Sequence, residues 1–496
     1  MTRQDEAKSL ADLGLTAASG QEARVTGLAV DSRHVKPGHL FAALPGTRVH
    51  GGEFIQYAVR MGAAAILTDA AGARIASDVL AGSSAALVVT EDPRGALAGA
   101  AALWWGAQPE TMVAVTGTNG KTSVASFVRQ IWQALGAPTV NLGTTGVEGD
   151  WEAPLKHTTP EPITLHRTLA EAAAAGITHA AMEASSHGLA QRRLDGVRLA
   201  AAGFTNITQD HLDYHASFDD YFAAKARLFD TLLTDDGVAV INVDGANGPR
   251  MAEAAAAAGQ DVMRVGRSET CPLRLMGLRF DPTGQEMRFS WNGAPHQARL
   301  ALIGGFQAEN VLVATGLAIG AGSDPAEVFA ALPKLRGVRG RMQVAATREN
   351  GAAVFVDYAH TPDALATALQ ALRPHVMGRI VCVFGAGGDR DRSKRPLMGG
   401  AVAEHADSAI VTDDNPRSED PAEIRSAILA ACPDAAEVGD RAEAILRGVD
   451  ALGPGDALLI AGKGHETGQV VGDITYPFDD AEQASVAVAA LDGRVS

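Results

Sequence analysis

The sequence has few cysteines and little positive charge, and each shortage excludes a class of protein. Its three cysteines, Cys271, Cys382 and Cys432, are widely spaced among 496 residues and form neither a CxxC metal pair nor a disulfide framework. The formal net charge is −16. Sequence-independent binding to DNA or RNA needs a basic surface that neutralises phosphates. We therefore expect a protein of a reducing compartment that does not bind nucleic acid.

Long hydrophobic runs are also missing. The most apolar stretch, near 96–105, is rich in alanine and too short to span a bilayer. The segment from Met1 to Leu10 is polar and of mixed charge, so it lacks the apolar core of a signal peptide. Hydrophobic residues make up 46% and charged residues 20%, a balance typical of folded rather than disordered chains. We expect a cytoplasmic protein without membrane insertion.

The chain is long enough for about three domains of roughly 150 residues each, and it has no fixed-period repeat. Short β-branched runs alternate with longer stretches rich in alanine and leucine, which is typical of βαβ units and parallel sheets. The character changes at Gln108-Pro109 and again after the basic, glycine-rich segment 335–342. The fold class is thus predicted to be α/β, with three sheet domains at 1–107, 108–344 and 345–496.

Polar or glycine-rich segments follow five of the predicted strands. These strands cover 112–116, 180–182, 379–384, 408–412 and 457–461. In open α/β sheets, ligands bind beyond the carboxyl ends of the strands. Loops in such places are expected to carry function.

The first of these loops, TGTNGKTS at 116–123, is typical of a phosphate-binding loop. Gly117 and Gly120 let backbone amides turn toward an anion, and Lys121 supplies a charge for the β and γ phosphates. The Thr122 hydroxyl is placed to hold Mg²⁺ at the start of the following helix. The GxxGKT spacing is shorter than GxxxxGK[ST], and it does not distinguish ATP from GTP. The alternative is a glycine-rich turn with an exposed lysine.

Two further features follow the second predicted strand. Glu183 ends that strand, where phosphate-loop enzymes commonly place a Mg²⁺ carboxylate, although a helix-capping acid is the alternative. Downstream lie FTNITQDHLDYH at 204–215 and Lys225 in YFAAKARLF. Histidine and aspartate at helix starts and a solvated helix lysine would explain these residues singly. As a set, they follow two strand ends of one nucleotide-binding domain.

Together TGTNGKT, EASSHGL, DHLDYH and KARLF resemble the Mur ligase family, which also includes folylpolyglutamate synthetases. The resemblance implies that Lys225 is carbamylated by CO2 and helps to bind a second Mg²⁺, with Glu183 and His211 as further metal ligands. It implies that ATP phosphorylates a carboxylate to an acyl phosphate, which an amine attacks to give an amide, ADP and phosphate. Two Mg²⁺ ions and Lys121 would offset the charge of the two anions. The implied catalytic residues are Lys121, Lys225 and His211.

The remaining ATP contacts are also implied by this resemblance. Asn310 lies in GGFQAEN, where Gln307 stands in place of the asparagine usual in relatives. A central phosphate-loop ATPase domain and a C-terminal Rossmann-like domain are expected to share the nucleotide. The implied ATP-binding residues are Gly117, Thr118, Asn119, Gly120, Lys121, Thr122, Ser123, Asn310, Arg341 and Asp357.

The N-terminal segment VDSRHVKPGHLFAALPGTRVHGGEFI resembles the uridine-binding domain of the family's MurE branch. A small α/β domain with a glycine-rich loop is the alternative. Arginine suits the anionic muramyl dipeptide because its fork can bind both oxygens of a carboxylate. By this resemblance the UDP portion meets Val30, Ser32, Thr47, Arg48 and Val49, and the peptide portion meets Thr158, Thr159, Ser185, Gln191 and Arg193.

The third domain carries the expected amino-acid site. VDYAHTPDAL holds Asp357 and His360, which by resemblance meet the nucleotide and the incoming amino acid, and Arg390 in GGDRDR would grip a substrate carboxylate. In Asp414-Asn415-Pro416-Arg417 the proline fixes a turn. A second carboxylate on the amino acid would require a cation there, which would repel lysine. In the MurE branch DNPR accompanies meso-diaminopimelate, and Gly462 and Glu466 in AGKGHE match positions that hold its far end.

The expected function is therefore ATP-dependent addition of meso-diaminopimelate to UDP-MurNAc-L-Ala-D-Glu by a monomer that uses two Mg²⁺ ions and a carbamate on Lys225. A lysine-adding ligase of the same branch is one alternative. A folate-glutamylating ligase is another, but it predicts neither a uridine-binding domain nor DNPR. A phosphate-loop switch that signals without ligation would lack an amine-acceptor site.

Overall fold

The computed structural model describes residues 7–46, 49–208 and 214–493. The chain forms two compact units, one holding 1–265 and 313–324, the other 266–312 and 325–496. Among the described residues, no helix has both the length and the apolar character needed to cross a membrane.

The first part of unit one is a small parallel sheet with helices. The pair β1–β2 is antiparallel, and the other four strands form a parallel sheet in the order β3-β4-β5-β6. The strands are β1 (Lys8–Ser9), β2 (Arg24–Val25), β3 (Gly27–Ala29), β4 (His39–Ala43), β5 (Ala65–Thr68) and β6 (Ala86–Val89). The helices are α1 (Ile55–Arg60), α2 (Ala70–Ile75), α3 (Ser77–Ala81) and α4 (Pro93–Trp105).

Helix α4 shows how local sequence sets these bounds. The Asp92 side chain accepts a hydrogen bond from the Gly95 amide at 3.0 Å, and Pro93 fills the first helical position. Gly106 ends the helix in the left-handed conformation with φ of 68°. The buried face of α4, which includes Leu97 and Ala100, packs into the core of this sheet.

The second sheet of unit one places the phosphate loop at its centre. Its strands run β13-β12-β11-β7-β10-β8-β9, and all neighbours are parallel except β8 and β9. The strands are β7 (Thr111–Thr116), β8 (Thr139–Gly143), β9 (Gly146–Gly149), β10 (His179–Glu183), β11 (Leu199–Phe204), β12 (Leu233–Asn242) and β13 (Asp261–Gly266). The helices are α5 (Lys121–Ala134), α6 (Pro162–Ala174), α7 (Ser186–Ala190), α8 (Phe218–Arg227) and α9 (Gly248–Ala257).

Unit two begins with a three-stranded antiparallel sheet. Consecutive hairpins pair β14 with β15 and β15 with β16. These strands are β14 (Leu273–Asp281), β15 (Gly284–Trp291) and β16 (Ala294–Leu300). Two helices follow in the chain, α10 (Phe306–Gly320), whose residues from 313 on belong to unit one, and α11 (Pro325–Ala331) of unit two.

The C-terminal sheet of unit two is parallel except at one edge. Its order is β17-β18-β22-β19-β20-β21, with β17 antiparallel to β18. Its strands are β17 (Gln343–Thr347), β18 (Ala353–Asp357), β19 (Ile380–Phe384), β20 (Ser408–Val411), β21 (Ala436–Glu437) and β22 (Ala457–Ala461), followed by the hairpin β23 (Gly468–Val471) and β24 (Ile474–Pro477). The helices are α12 (Pro362–Leu372), α13 (Lys394–His405), α14 (Pro421–Leu429), α15 (Arg441–Asp450) and α16 (Asp480–Leu491).

The structure confirms the predicted α/β class and the five strands that precede polar loops. These strands are β7, β10, β19, β20 and β22, and each ends within one residue of its predicted end. Apart from the first residues of β7, β10 and β20, their residues are buried on both faces, which explains their continuous apolar runs. The expected functional loops therefore leave the carboxyl edges of two parallel sheets.

A buried ion pair fixes the end of β22. Arg441 and Asp480, the first residues of α15 and α16, are fully buried and join through two hydrogen bonds of 2.7 Å. Burial alone would lower the pKa of Arg441, but the neighbouring Asp480 carboxylate outweighs it and the pKa is raised. The same guanidinium donates to the Ala461 carbonyl at 3.0 Å. The loop after β22 thus leaves from an anchored residue.

Candidate active site

The loop between β7 and α5 requires its glycines. Gly117 has φ of 152°, and a Cβ atom there would lie 1.9 Å from Thr205 Oγ1. Gly120 has φ of 88° and directly precedes α5. Side chains at these two positions would strain or block the loop. The backbone can therefore curl tightly at the N-terminus of a 14-residue helix, where anions are favoured.

The loop after β11 holds this phosphate loop in shape. The Asn119 amide donates to Asn206 Oδ1 at 3.0 Å, and the Thr205 hydroxyl donates to the Asn119 carbonyl at 2.6 Å. Lys121 Nζ donates to the carbonyls of Gly117 and Thr118, both at 2.9 Å. The ammonium of this half-buried lysine therefore lies over the loop.

Lys225 of α8 lies against the same loop. Its side chain is 1% exposed, and Nζ donates to the Gly117 carbonyl at 2.7 Å. Nζ also lies 4.5 Å from the centre of the Tyr221 ring, a cation–π distance. The interpretation of Lys225 as a solvated helix lysine is wrong. Folding brings this lysine to the phosphate loop across 108 residues of sequence.

Glu183, at the end of β10, meets the start of α5. Its Oε2 accepts from the Thr122 hydroxyl at 3.0 Å, and its Oε1 accepts from the Thr144 amide at 2.8 Å. Glu183 is not a helix-capping acid, because the N-cap of α7 is Ser185, which accepts from the Gly188 amide. The carboxylate is instead held beside the hydroxyl predicted to face Mg²⁺.

A polar chain links Glu183 to the predicted peptide-binding residues. The Thr159 hydroxyl donates to the Glu183 carbonyl at 3.0 Å and accepts from the Ser185 amide at 3.1 Å. Arg193 donates to the Thr159 carbonyl at 2.7 Å and to Gln191 Oε1 at 2.8 Å. These residues form one connected group, and Thr158 joins it through a 3.0 Å contact between its hydroxyl and that of Thr144.

A cavity of about 120 Å³ is lined both by residues near the N-terminal sheet and by residues of this polar group. It combines one predicted UDP contact, Val30, with two predicted peptide contacts, Gln191 and Arg193. Its lining is completed by Leu44, Arg94, Leu97, Glu161 and Pro162. Ser32 starts a short helical turn next to Val30, and Val49 is exposed. Thr47, Arg48 and His211 lie outside the described residues.

In unit two, the loops after β20 and β22 meet. Asn415 Nδ2 donates to Glu466 Oε2 at 2.9 Å, and both loops receive hydrogen bonds from the buried Lys463. Gly462 has φ of 117°, and a Cβ atom there would lie 2.4 Å from Asp414 Oδ2. The structure thus brings together Asp414, Asn415, Gly462 and Glu466.

Arg417 is held in an uncommon conformation. Its φ is 51°, in the left-handed region that side chains rarely adopt. Its amide donates to the Val470 carbonyl at 3.0 Å, and its carbonyl accepts from the Gly472 amide at 2.7 Å. The guanidinium donates to the Gly388 carbonyl at 2.8 Å. The β23–β24 hairpin therefore supports the strained residue after Pro416.

Other predicted site residues of unit two make hydrogen bonds that do not involve Asn415 or Glu466. Asp357 accepts from the amides of Met342 and Ala359, and burial raises its pKa. His360 Nδ1 contacts the Tyr358 carbonyl at 2.8 Å, and the Arg341 guanidinium lies 4.8 Å from the Tyr358 ring centre. Asn310 Nδ2 donates to Gln307 Oε1 at 3.1 Å inside α10.

Arg390 is exposed, and its described hydrogen bond goes to the Asp389 carbonyl at 3.4 Å. No described hydrogen bond joins it to the DNPR or KGHE loops.

Comparison with known proteins identifies the family. Three family models match: the Mur ligase family catalytic domain over 24–105, the Mur ligase middle domain over 115–318, and the Mur ligase glutamate ligase domain over 340–464. A UDP-N-acetylmuramoyl-L-alanyl-D-glutamate–2,6-diaminopimelate ligase of Caulobacter vibrioides is 52% identical over 475 residues, 94% of this chain and 96% of the relative. The chain belongs to the Mur ligase family. A ligase of the same name from Bradyrhizobium diazoefficiens is 51% identical over 94% of this Mur ligase and 95% of the relative.

Solved structures agree with this family. A UDP-N-acetylmuramoyl-L-alanyl-D-glutamate–2,6-diaminopimelate ligase has a TM-score of 0.72 and 32% identity to this Mur ligase, covering 98% of this chain and 99% of the other. A folylpolyglutamate synthase of Mycobacterium tuberculosis complexed with ADP shares the fold at a TM-score of 0.60 and 20% identity, over 74% and 90% of the two chains. This Mur ligase is an ATP-dependent acid–amino-acid ligase.

The oxygen donors at the phosphate loop of this Mur ligase fit Mg²⁺. The Thr122 hydroxyl and the Glu183 carboxylate are both buried and are hard ligands of the kind this ion prefers. Within the described residues, no group of three or more His, Cys, Asp or Glu could hold a metal alone. Mg²⁺ usually keeps several waters and binds through one or two protein groups plus substrate phosphates. The donor set suits that arrangement.

Several contacts of this Mur ligase site escaped sequence reasoning. Thr144, Thr205 and Tyr221 each contact the phosphate loop or Glu183. Lys463 joins the loops after β20 and β22. Thr144 and Thr205 lie just beyond the ends of β8 and β11, so the strand-end rule could have found them. Tyr221 shares one helix face with Lys225, four residues away, and that spacing was the available signal.

Gly143→Ala should weaken Mg²⁺–ATP binding in this Mur ligase. A Cβ atom at position 143 would lie 2.0 Å from Glu183 Oε1, so the carboxylate must leave its contacts with Thr122 and Thr144. Charged hydrogen bonds contribute about 1.5–3 kcal/mol, so we expect a loss of roughly ten-fold or more in affinity by titration calorimetry. The control is Gly99→Ala on α4, where a Cβ atom meets nothing within 4 Å. Equal affinities in the two variants would contradict the positioning of Glu183.

Proposed function

We propose that this Mur ligase joins meso-diaminopimelate to UDP-MurNAc-L-Ala-D-Glu and converts ATP to ADP and phosphate. The supporting observation is the hydrogen bond of 2.9 Å from Asn415 Nδ2 to Glu466 Oε2. Arg417 lies two residues after Asn415 in the same loop. An N–H donor, a guanidinium and a carboxylate thus belong to loops at the carboxyl edge of the C-terminal sheet. The relatives at 52% and 51% identity are both named as ligases for 2,6-diaminopimelate, which supports this substrate.

The mixed charge of this edge suits an amino acid whose far end is a zwitterion. Diaminopimelate carries both an ammonium and a carboxylate there, whereas lysine carries only the ammonium. Arg417 and Asn415 would bind the carboxylate, and Glu466 would bind the ammonium. Lysine would bring no carboxylate to the guanidinium, so the charged hydrogen bonds made to diaminopimelate would be lost. We propose the amino-acid site to comprise His360, Arg390, Asp414, Asn415, Pro416, Arg417, Gly462 and Glu466.

The phosphate loop would bind ATP and help to phosphorylate the peptide carboxylate. Lys121 and the loop amides would hold the phosphates at the N-terminus of α5. Thr122 and Glu183, with His211, would hold Mg²⁺, which when bound offsets phosphate charge as the acyl phosphate forms. Lys225 is proposed to act as a carbamate beside Gly117. The proposed ATP-binding residues are Gly117, Thr118, Asn119, Gly120, Lys121, Thr122, Ser123, Asn310, Arg341 and Asp357.

The nucleotide-sugar substrate would enter through the cavity near Val30. Arg193 donates hydrogen bonds at its wall, and its partners Gln191 and Thr159 lead to Glu183. A peptide carboxylate held along this path would approach the phosphate loop. The proposed contacts are Val30, Ser32, Thr47, Arg48 and Val49 for UDP, and Thr158, Thr159, Ser185, Gln191 and Arg193 for the peptide.

The proposed location in the cell follows from the substrates. A nucleotide-linked precursor and ATP are both found in the cytoplasm, where we propose that the enzyme acts as a monomer. We propose that 1–107 binds the UDP-sugar, 108–344 binds ATP, and 345–496 binds the amino acid.

The proposal is tested by phosphate release with UDP-MurNAc-L-Ala-D-Glu and ATP, with and without meso-diaminopimelate. Release should depend on the amino acid, and mass spectrometry of a reaction with equal lysine and diaminopimelate should find the diaminopimelate product in large excess. Equal use of lysine would indicate a lysine-adding ligase. Release that ignores the amino acid would indicate a nucleotide switch.

Arg417→Ala should raise the KM for meso-diaminopimelate far more than the KM for ATP. The lost charged hydrogen bonds amount to about 1.5–3 kcal/mol, or roughly 10- to 100-fold. Steady-state kinetics with each substrate varied in turn measures the split. Arg288→Ala, at an exposed position of β15, is the matched control and should change neither KM. Equal rises in both KM values would count against a role for Arg417 in amino-acid recognition.

Lys225→Ala should nearly abolish ligation, and an added short carboxylate such as acetate should restore part of it. The reason is that the carboxylate would replace the anionic group of the carbamate beside the phosphate loop. A chloride salt at equal ionic strength controls for salt effects, and Lys156→Ala, at an exposed position, controls for the loss of a lysine. A ¹³C signal from labelled bicarbonate should be present in the native protein and absent from Lys225→Ala. Undiminished activity in this variant would refute the carbamate.

A further inference from the structure

Lys463, in the loop after β22, is a buried cation to which no role has yet been assigned. Its side chain is 0% exposed, and Nζ donates to Asn415 Oδ1 at 2.9 Å and to Glu466 Oε2 at 3.3 Å. Both partners belong to the proposed amino-acid site. A buried ammonium is costly unless it is paired. Glu466 and Asn415 supply that pairing, so the three side chains depend on one another.

The ammonium fixes which way the Asn415 amide faces. Asn415 Oδ1 accepts from Lys463 Nζ and from the Val470 amide, both at 2.9 Å. Turning the amide by half a rotation would set its NH2 group against the ammonium and the Val470 N–H, which would both lose this acceptor, and would set Oδ1 against the Glu466 carboxylate. Nδ2 is therefore the only end of this amide that can face Glu466 and a ligand.

The same ammonium also offsets the negative charge of the Glu466 carboxylate. Oε2 accepts from both Asn415 Nδ2 and Lys463 Nζ, and neither of these hydrogen bonds uses Oε1. The internal pair of Lys463 and Glu466 has no net charge. A lone carboxylate would favour a simple cation such as the side chain of lysine, whereas a neutralised one beside an N–H donor favours a group of both signs.

We infer that Lys463 is a positioning residue that sets the amino-acid specificity of this ligase by locking Asn415 as a donor and neutralising Glu466. This inference rests on the proposed function and deepens it. Lys463 would act through Asn415 and Glu466 rather than by touching the substrate. Its loss should therefore penalise an amino acid with a distal carboxylate and spare lysine, which has none.

The inference is tested by competition between meso-diaminopimelate and excess lysine in one reaction, with products quantified by mass spectrometry. The product ratio reports the ratio of the two kcat/KM values, so it does not depend on how much of a variant is folded. Lys463→Met should lower the preference for diaminopimelate by about ten-fold or more, and Lys463→Arg should recover part of it. Lys334→Met, at an exposed position of unit two, is the control and should keep the native ratio.

Asn415→Asp tests the amide orientation itself. It keeps an acceptor for Lys463 and the Val470 amide but replaces the Nδ2 donor with a second acceptor. The preference for diaminopimelate should fall at least as far as in Lys463→Met. An unchanged product ratio in either variant would overturn the inference.

A variant cycle that removes both partners separates positioning from an independent contribution. If Lys463 acts through Asn415 and Glu466, adding Lys463→Met to a protein that already carries Asn415→Ala and Glu466→Gln should change the ratio little further. Multiplying effects would overturn the inference. If the native protein makes no diaminopimelate product, the proposed function fails instead, so the two failures are distinguishable.

Discussion

Glu183 of β10 pairs in parallel register with Val115 of β7, and this pairing determines where the nucleotide chemistry can occur. Because the strands are parallel, their carboxyl ends meet at one edge, and Glu183 arrives beside the loop that leaves β7. Gly143, at the end of β8, leaves room for its carboxylate. A shift of one residue along β10 would turn this side chain to the other face of the sheet. The contact with Thr122 therefore depends on a register set by buried apolar residues.

The same constraint recurs in unit two with different chemistry. There β19 lies between β20 and β22, so the loops after β20 and β22, which are distant in sequence, leave nearby positions at one edge of the sheet. Asn415 and Glu466 are 51 residues apart yet join at 2.9 Å. Arg441 reinforces the arrangement, since it is paired with Asp480 and donates to the carbonyl that ends β22. The loops hold rare conformations, such as that of Arg417, because rigid neighbours support them.

The strands and the loops could be predicted from the sequence because both depend on patterns of neighbouring residues. The apolar run before Gly117 and the glycines within the loop are local signals, and the structure agrees with them. The burial of Lys225 is not local, since it depends on a contact across 108 residues. Lys463 was overlooked for a similar reason, because a lysine between two glycines is usually solvated. The contacts of the Arg390 side chain could not be predicted from the sequence, because its exposed loop imposes few packing constraints.

The acidic composition and the anionic substrates are compatible because binding depends on local charge. The chain carries −16 overall, yet Lys121 and Arg193 are partly buried where phosphates and a peptide carboxylate are proposed to bind. Charges interact more strongly in such places than at the surface, where water and salt screen them. Each of these cations is held by carbonyl or amide oxygens, so the fold bears part of the desolvation cost before a ligand arrives. A preorganised cation of this kind can favour an anion even inside an acidic protein, whereas a surface lysine could not overcome the net field.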